Sequence, residues 1–429
     1  MTEPRTPDNP TTDLPPGYRM TELGPLPEEW RVVRLGEVAR VRYGKAKPQA
    51  IGSVPVIGSG GVYARTARPL IDFPTLIIGR KGTAGQVWLL EEPCWPSDTT
   101  FYLEWTQPIV VNFLHGYFLL NPLSGEHAKT TLPSLQRPDL EAHPIPLPPL
   151  PEQRAIAHVL RAVQEAKEAT ERVIAAAREL KKSLMRHLFT YGPVPLDAIN
   201  DVPLRETEVG PVPAHWQVVR LGEVAEKPQY GYTASATPEP IGPKFLRITD
   251  IQNDKVYWPT VLYCSIEEAS LERYQLEKGD ILFARIGATT GKTYLVDECP
   301  LSVFASYLIR VRTKTNYLLS EHLYFFTHTA QYWQQINAAK GGRLKQGINI
   351  PILTSLLLPL PPLDEQREIA RILQTVDHKI EAEEARKEAL DVLFKSLLHH
   401  LMTAKLRLPQ EFIRRFEQDS LRDAARFTC

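Results

Sequence analysis

Residues 285–293 read Arg-Ile-Gly-Ala-Thr-Thr-Gly-Lys-Thr, a mix of glycines, lysine and hydroxyls that suits a loop cradling phosphate. The spacing argues against that chemistry. A P-loop needs four residues between its glycines, so that its N–H groups converge on one point, and it opens a helix. Here three residues separate Gly287 from Gly291, and 292–296 reads as a strand. What remains is a turn between strands at 280–284 and 292–296. It offers Arg285 and Lys292 to solvent, or to a phosphate backbone or base edge. A matching turn at 80–85 joins strands at 74–79 and 86–90 and opens on Arg80 and Lys81. Tyr230 and Tyr232, set among Gly and small polar residues, either stack on nucleic acid or fill a core as half-buried aromatics. Arg343 and Lys345, in a Gly-rich loop at 341–347, either track phosphates or are simply solvated.

No catalytic constellation stands beside these residues. There is no HExxH, no GxSxG and no Asn-Pro-Pro-aromatic motif in the chain. Cys94, Cys264, Cys299 and Cys429 share no CxxC spacing, so neither a metal site nor a disulfide framework is expected. The histidines are scattered. Any reaction is expected to belong to partners, with no cofactor and no metal on this chain.

The chain has 429 residues, long enough for two to three domains. Its 50 basic and 50 acidic side chains cancel, so any basic surface is local. Hydrophobic residues make up 43%, which excludes a disordered tail protein. No apolar run reaches membrane-spanning length and no apolar leader opens the chain, so a cytoplasmic protein is expected, with no membrane partner.

The elements that must position the turns come in duplicate. Residues 22–39 read ELGPLPEEWRVVRLGEVA and 208–225 read EVGPVPAHWQVVRLGEVA, identical at 13 of 18 positions. Residues 146–160, PLPPLPEQRAIAHVL, match 359–373, PLPPLDEQREIARIL, at 11 of 15. Two motifs recurring in the same order indicate a tandem duplication. The ends are shared while the middles, 40–137 and 226–350, differ. Shared ends imply a shared partner; unlike middles imply two different things recognised.

Each second motif opens a long helix with Pro or an acid in its first turn. Apolar or stem-like residues then recur at alternating spacings of four and three: Ile156, Leu160 … Leu184, Leu188 in one, and Ile369, Leu373 … Leu397, Leu401 in the other. That is a coiled-coil seam. Charged seam positions make self-pairing poor along the whole length, so the two helices are expected to pair with each other. The expected layout is an α+β chain with a pseudo-two-fold internal repeat. A disordered leader covers 1–20, a first β-rich domain 21–150 and a helix 151–190. A linker covers 191–207, a second β-rich domain 208–363, a helix 364–404 and a short helical tail 405–429.

With its duplicated W-x-x-x-x-L-G-E-V-A and P-L-P-P-L-x-E-Q-R-x-I-A segments, its opening Gln229-Tyr230-Gly231-Tyr232 and its hairpin at 279–285, the chain resembles the specificity subunits of type I restriction–modification systems over about residues 20–404. The resemblance implies that each middle is a target-recognition domain reading one half of a split, asymmetric site in double-stranded DNA. It implies that the helices form an antiparallel coiled coil setting the distance between the halves, and that the shared segments dock two methyltransferase subunits. Restriction subunits then join. S-adenosylmethionine, ATP and Mg are expected on those partners and not here. An arginine that reads a base would serve one half-site only; one that holds a phosphate would serve every sequence equally.

Overall fold

A computed structural model describes residues 14–123, 134–339 and 347–420. The chain divides into two compact units, residues 1–171 with 385–429 and residues 172–384. The division cuts through both long helices, Leu150–Tyr191 and Leu363–Met402. Each unit therefore owns one β-rich domain, the start of one helix and the end of the other, rather than the domains and helices standing as separate bodies as the sequence suggested.

Within each unit the two helix segments run antiparallel. In the first, Lys167 pairs with Asp391 at 2.6 Å and Lys387 with Glu171 at 2.8 Å. In the second, Lys181 pairs with Asp377 at 2.5 Å and Arg178 with Glu384 at 2.7 Å. These acids answer the lysines that interrupt the hydrophobic seam. The stems lie along the seam while the ammonium groups reach an opposite carboxylate.

The helix ends belong to the cores of the units. Ile156, Leu160 and Leu401 pack with Trp30, Leu35, Phe101 and Phe113. Leu188, Ile369 and Leu373 pack with Trp216, Phe283, Phe326 and Tyr332. Leu184 and Leu397 are only partly buried against these clusters; their neighbours Met185 and Leu398 point further in. Most seam leucines and isoleucines thus fasten helices to their own domains, with Leu184 and Leu397 partly exposed.

The duplicated motifs meet in the fold. Trp30 donates its indole N–H to Glu152 Oε2 at 2.9 Å, and Trp216 donates to Glu365 Oε2 at 2.9 Å. The next residue along works equally hard. Gln153 accepts from the N–H of Val110 at 3.1 Å and donates to the Pro148 carbonyl at 2.8 Å. Gln366 accepts from the N–H of Leu319 at 2.8 Å and donates to Pro361 at 2.9 Å. Burial pushes the Glu152 carboxyl above its ordinary range, although Arg407 and Trp30 pull it back. So the shared E-Q at the helix starts is largely an internal joint between opening segment, helix start and domain.

The repeat also reaches further back than the leader boundary at residue 20. Tyr18–Thr21 is a strand paired with Gly24–Pro27, and Leu204–Arg205 pairs with Val212–Pro213 in the same register. Arg19 donates to the Trp30 carbonyl at 2.8 Å, as Arg205 does to that of Trp216. Residues 18–20 are therefore ordered, and so are 196–205 of the expected linker, with a 3-10 turn at Leu196–Asp201. Residues 1–13 lie outside the described residues. In the tail, Gln410–Arg414 is helical, and Phe412 and Phe416 pack on the His158 ring at 6.1 and 5.4 Å.

Each domain carries a four-stranded sheet. In the first the strands run in the order Ala39–Tyr43, Thr100–Trp105, Thr75–Gly79, Val87–Leu90. In the second the order is Gln229–Tyr230, Leu308–Val311, Ile281–Ala284, Thr293–Leu295. The unlike middles share the strand order of this sheet.

Candidate nucleic-acid interface

The two hairpins close in the same way. Gly79 donates its N–H to Gln86 O at 2.8 Å and Ala284 donates to Lys292 O at 2.8 Å. Gly85 donates back to Gly79 O, and Gly291 to Ala284 O, both at 2.9 Å. Gly85 and Gly291 have φ of 83° and 92°, a left-handed conformation that glycine adopts without strain. Lys292 therefore corresponds to Gln86 and not to Lys81, and the second turn is one residue longer.

In the second turn the N–H groups of Thr290, Gly291 and Lys292 all bond within the turn, to Gly287, Ala284 and Thr289. None of the three converges on a point where a phosphate could sit. A strand, Thr293–Leu295, follows. The P-loop reading fails on geometry as it did on spacing.

Arg80 and Arg285 occupy one structural position. The guanidinium of Arg80 lies over the Tyr43 ring at 5.2 Å, with Phe101 at 5.9 Å. That of Arg285 lies over the Tyr230 ring at 4.7 Å. Arg80 N–H donates to Thr99 O and its carbonyl accepts from Leu135 N–H; Arg285 N–H donates to Tyr307 O and its carbonyl accepts from Ile348 N–H. The registers agree as well. Tyr43 faces Phe101, which faces Ile78, two residues before Arg80. Tyr230 faces Ile309, which faces Phe283, two residues before Arg285.

The other candidates are dispersed. Lys81 and Lys292 are exposed on the turns. Tyr230 also accepts a hydrogen bond at its Oη from Ile350 N–H at 3.3 Å. Tyr232, only two residues on, is half-buried and packs at 5.2 Å against Tyr274. Arg343 and Lys345 lie outside the described residues. Tyr43 was missed from sequence, yet a signal existed: the dipeptide Tyr-Gly follows the shared Glu-Val-Ala in both halves, as Tyr43-Gly44 and Tyr230-Gly231. Both glycines are required, since a Cβ there would meet Ser97 O at 2.0 Å and Ala305 O at 2.2 Å.

The second sheet has a buried charged network with no match in the first. Asp280, 1% exposed, accepts from Arg312 Nε at 2.6 Å and lies 3.6 Å from Arg310, which is 7% exposed. Arg310 donates to Gln229 Oε1 at 2.6 Å, beside Tyr230, and to the Gln275 and Arg273 carbonyls at 2.6 and 3.0 Å. Burial lowers the Arg310 pKa from its ordinary value, and Asp280 pushes it back up. In the first sheet the register puts Thr75 and Tyr102 where Asp280 and Arg310 stand, and the Arg42–Glu104 pair, at the positions of Gln229 and Arg312, is exposed.

Among the described residues no group of His, Cys, Asp and Glu could hold a metal ion, and no helix is long and apolar enough to cross a membrane. Cys94 and Cys264 are buried thiols, pushed up by burial to about 12 and about 11.

A family model described as the type I restriction modification DNA specificity domain matches residues 27–177 and again 213–392. A type I restriction enzyme MjaVIII specificity subunit from Methanocaldococcus jannaschii is 26% identical over 410 residues, covering 89% of this chain and 94% of its own length. The EcoKI specificity subunit of Escherichia coli is 22% identical over 276 residues, 61% of this chain and 56% of that one. Among solved structures, a type I restriction-modification S subunit from M. genitalium superposes with a TM-score of 0.61 at 17% identity, covering 87% of this chain and 96% of that one. Another, from work on complex assembly and conformational transition of a type I system, has a TM-score of 0.51 at 19% identity, covering 89% and 99%.

Proposed function

This chain belongs to the type I restriction modification DNA specificity family, and from that premise we propose that it supplies the address and no reaction of its own. Each unit reads one half of a two-part DNA site through the hairpin beside its Arg–Tyr stack. The length of the paired helices sets the spacing of the halves. Two methyltransferase subunits dock on the two units, and restriction subunits join them. S-adenosylmethionine, ATP and Mg are carried by those partners. The observation that carries this reading is one scaffold used twice with unlike turns: Lys81–Ala84 in one hairpin, Ile286–Thr290 in the other. A shared scaffold presents loops alike, and unlike loops read unlike bases.

The partner surface follows by subtraction. Much of the duplicated sequence is used internally, as the Trp–Glu and Gln joints show. Duplicated residues that stay exposed include Glu22, Arg34 and Glu37 in one unit and Glu208, Arg220 and Glu223 in the other. These are the positions that support a common dock for two copies of one partner.

Competition binding with the purified complex tests the reading. The complex should hold its target duplex about 10³-fold or more tighter than unrelated duplex. A complex with no such preference would leave this chain as a protein scaffold only.

A further inference from the structure

The proposed function leaves open which hairpin residues read bases and which hold the backbone. We propose that Arg80 and Arg285, each set by its tyrosine, are phosphate anchors common to all sequences, and that base reading lies in the turn residues beside them. The proposal rests on the DNA-recognition reading given above and deepens it.

The repeat itself sets these arginines apart from the turn residues. The two domains differ in sequence, turn length and buried charge, yet both place a guanidinium on a tyrosine face at 4.7–5.2 Å in one register. Two unlike half-sites share no base sequence that both units would need to read. They do share the phosphate backbone. A device present in both units fits the feature present in both halves, whereas residues that read sequence must differ. Lys81, Thr83 and Ala84 in one turn correspond to Ile286, Ala288, Thr289 and Thr290 in the other, and these differ.

Among the described residues neither guanidinium has an acidic partner in ion-pair range, and Arg80 Nε is buried without a hydrogen-bond acceptor. A guanidinium held over a ring face makes no hydrogen bond to the ring and keeps donors for the planar fork that fits a phosphate's two oxygens. Stacking also fixes the fork before binding, which lowers the ordering cost on contact. Residues 21–150 carry 12 basic and 12 acidic side chains, so any positive field there is local. Under those conditions a placed and unneutralised cation contributes a large share of the hold on DNA.

The test uses the complex with its methyltransferase partner. It compares wild type with Arg80→Gln, Arg285→Gln and the two Lys variants, titrated with target and unrelated duplex at several salt concentrations. Each Gln variant should weaken binding to both duplexes by the same factor, about tenfold. It should also reduce the salt slope by about one and leave the methylated sequence unchanged. Each Lys variant should keep most of the affinity, because a phosphate accepts a point charge. Broadening of the methylated sequence in one half, or weakening on target alone, would make the arginine a base reader and overturn the proposal. Unchanged binding would also overturn it. So would a lowered melting temperature in Gln and Lys variants alike, which would make the stack a structural pin. If wild type itself shows no preference for its target, the fault lies in the underlying function and not in the anchor.

Discussion

Replacing Ile369 and Leu373 together by glutamate should unfold the second unit. Both side chains are 0% exposed and lie one helical turn apart, packed with Trp216, Phe326 and Leu353. Each substitution removes an aliphatic side chain from a filled core, at about 2–5 kcal/mol. It also places there a carboxylate that has no cation to meet. Such a group either pays its desolvation or takes up a proton, and both outcomes cost free energy. Two adjacent losses of this size approach the about 5–15 kcal/mol that holds a whole domain. Circular dichroism and limited proteolysis of residues 172–384 read the outcome. A melting curve like that of the wild type would contradict the helix placement. The paired control is Leu393→Glu, an exposed position on the same helix, which should be nearly silent.

The second large effect is expected at Asp280. Changing it to alanine leaves Arg310, 7% exposed, without the carboxylate beside it, and Arg312 with only Glu277 at 3.2 Å. Removing one member of a buried pair costs about 3–5 kcal/mol, because the remaining charge is stranded away from water. Asp280 also accepts from the Glu277 backbone N–H at 3.0 Å, so the turn before the strand loosens with it. Asp280→Asn should cost less, since the amide keeps an acceptor. Denaturant midpoints measure the difference. The functional consequence follows from connectivity. Arg310 holds Gln229 next to Tyr230, and Tyr230 carries Arg285. Binding to target and to unrelated duplex should weaken alike, with the methylated sequence unchanged. A stability change under about 1 kcal/mol would mean that solvent reaches Arg310 more freely than its burial indicates.

What could be read ahead of the structure was whatever is local or periodic. The hairpins at 75–90 and 281–295 announced themselves by apolar runs broken by glycines. The long helices announced themselves by spacing, by a proline or acid at the start and by Gly192-Pro193 at the end of the first. What escaped depended on contacts distant in sequence. Tyr43 meets Arg80 only because a third strand, Thr100–Trp105, sets the register between them. The seam lysines looked like faults until Asp377 and Asp391 were seen opposite them. The Pro-rich stretch before residue 21 suggested disorder, but Tyr18 Oη donates to the Ala404 carbonyl at 2.5 Å, an anchor 386 residues away. The shared Glu-Gln at the helix starts suggested a partner dock; their hydrogen bonds are inside the units. Tyr230 and Tyr232, alternatives weighed alike, part company because one faces Arg285 and the other Tyr274.

The central claim is that two units on one scaffold read two different half-sites. Mapping methylated positions in DNA from cells carrying this chain with its partners measures that most directly. The account predicts one two-part target, with unlike halves, a fixed gap and a modified adenine in each half. A palindromic target, a continuous one, or no methylation dependent on this chain would contradict it.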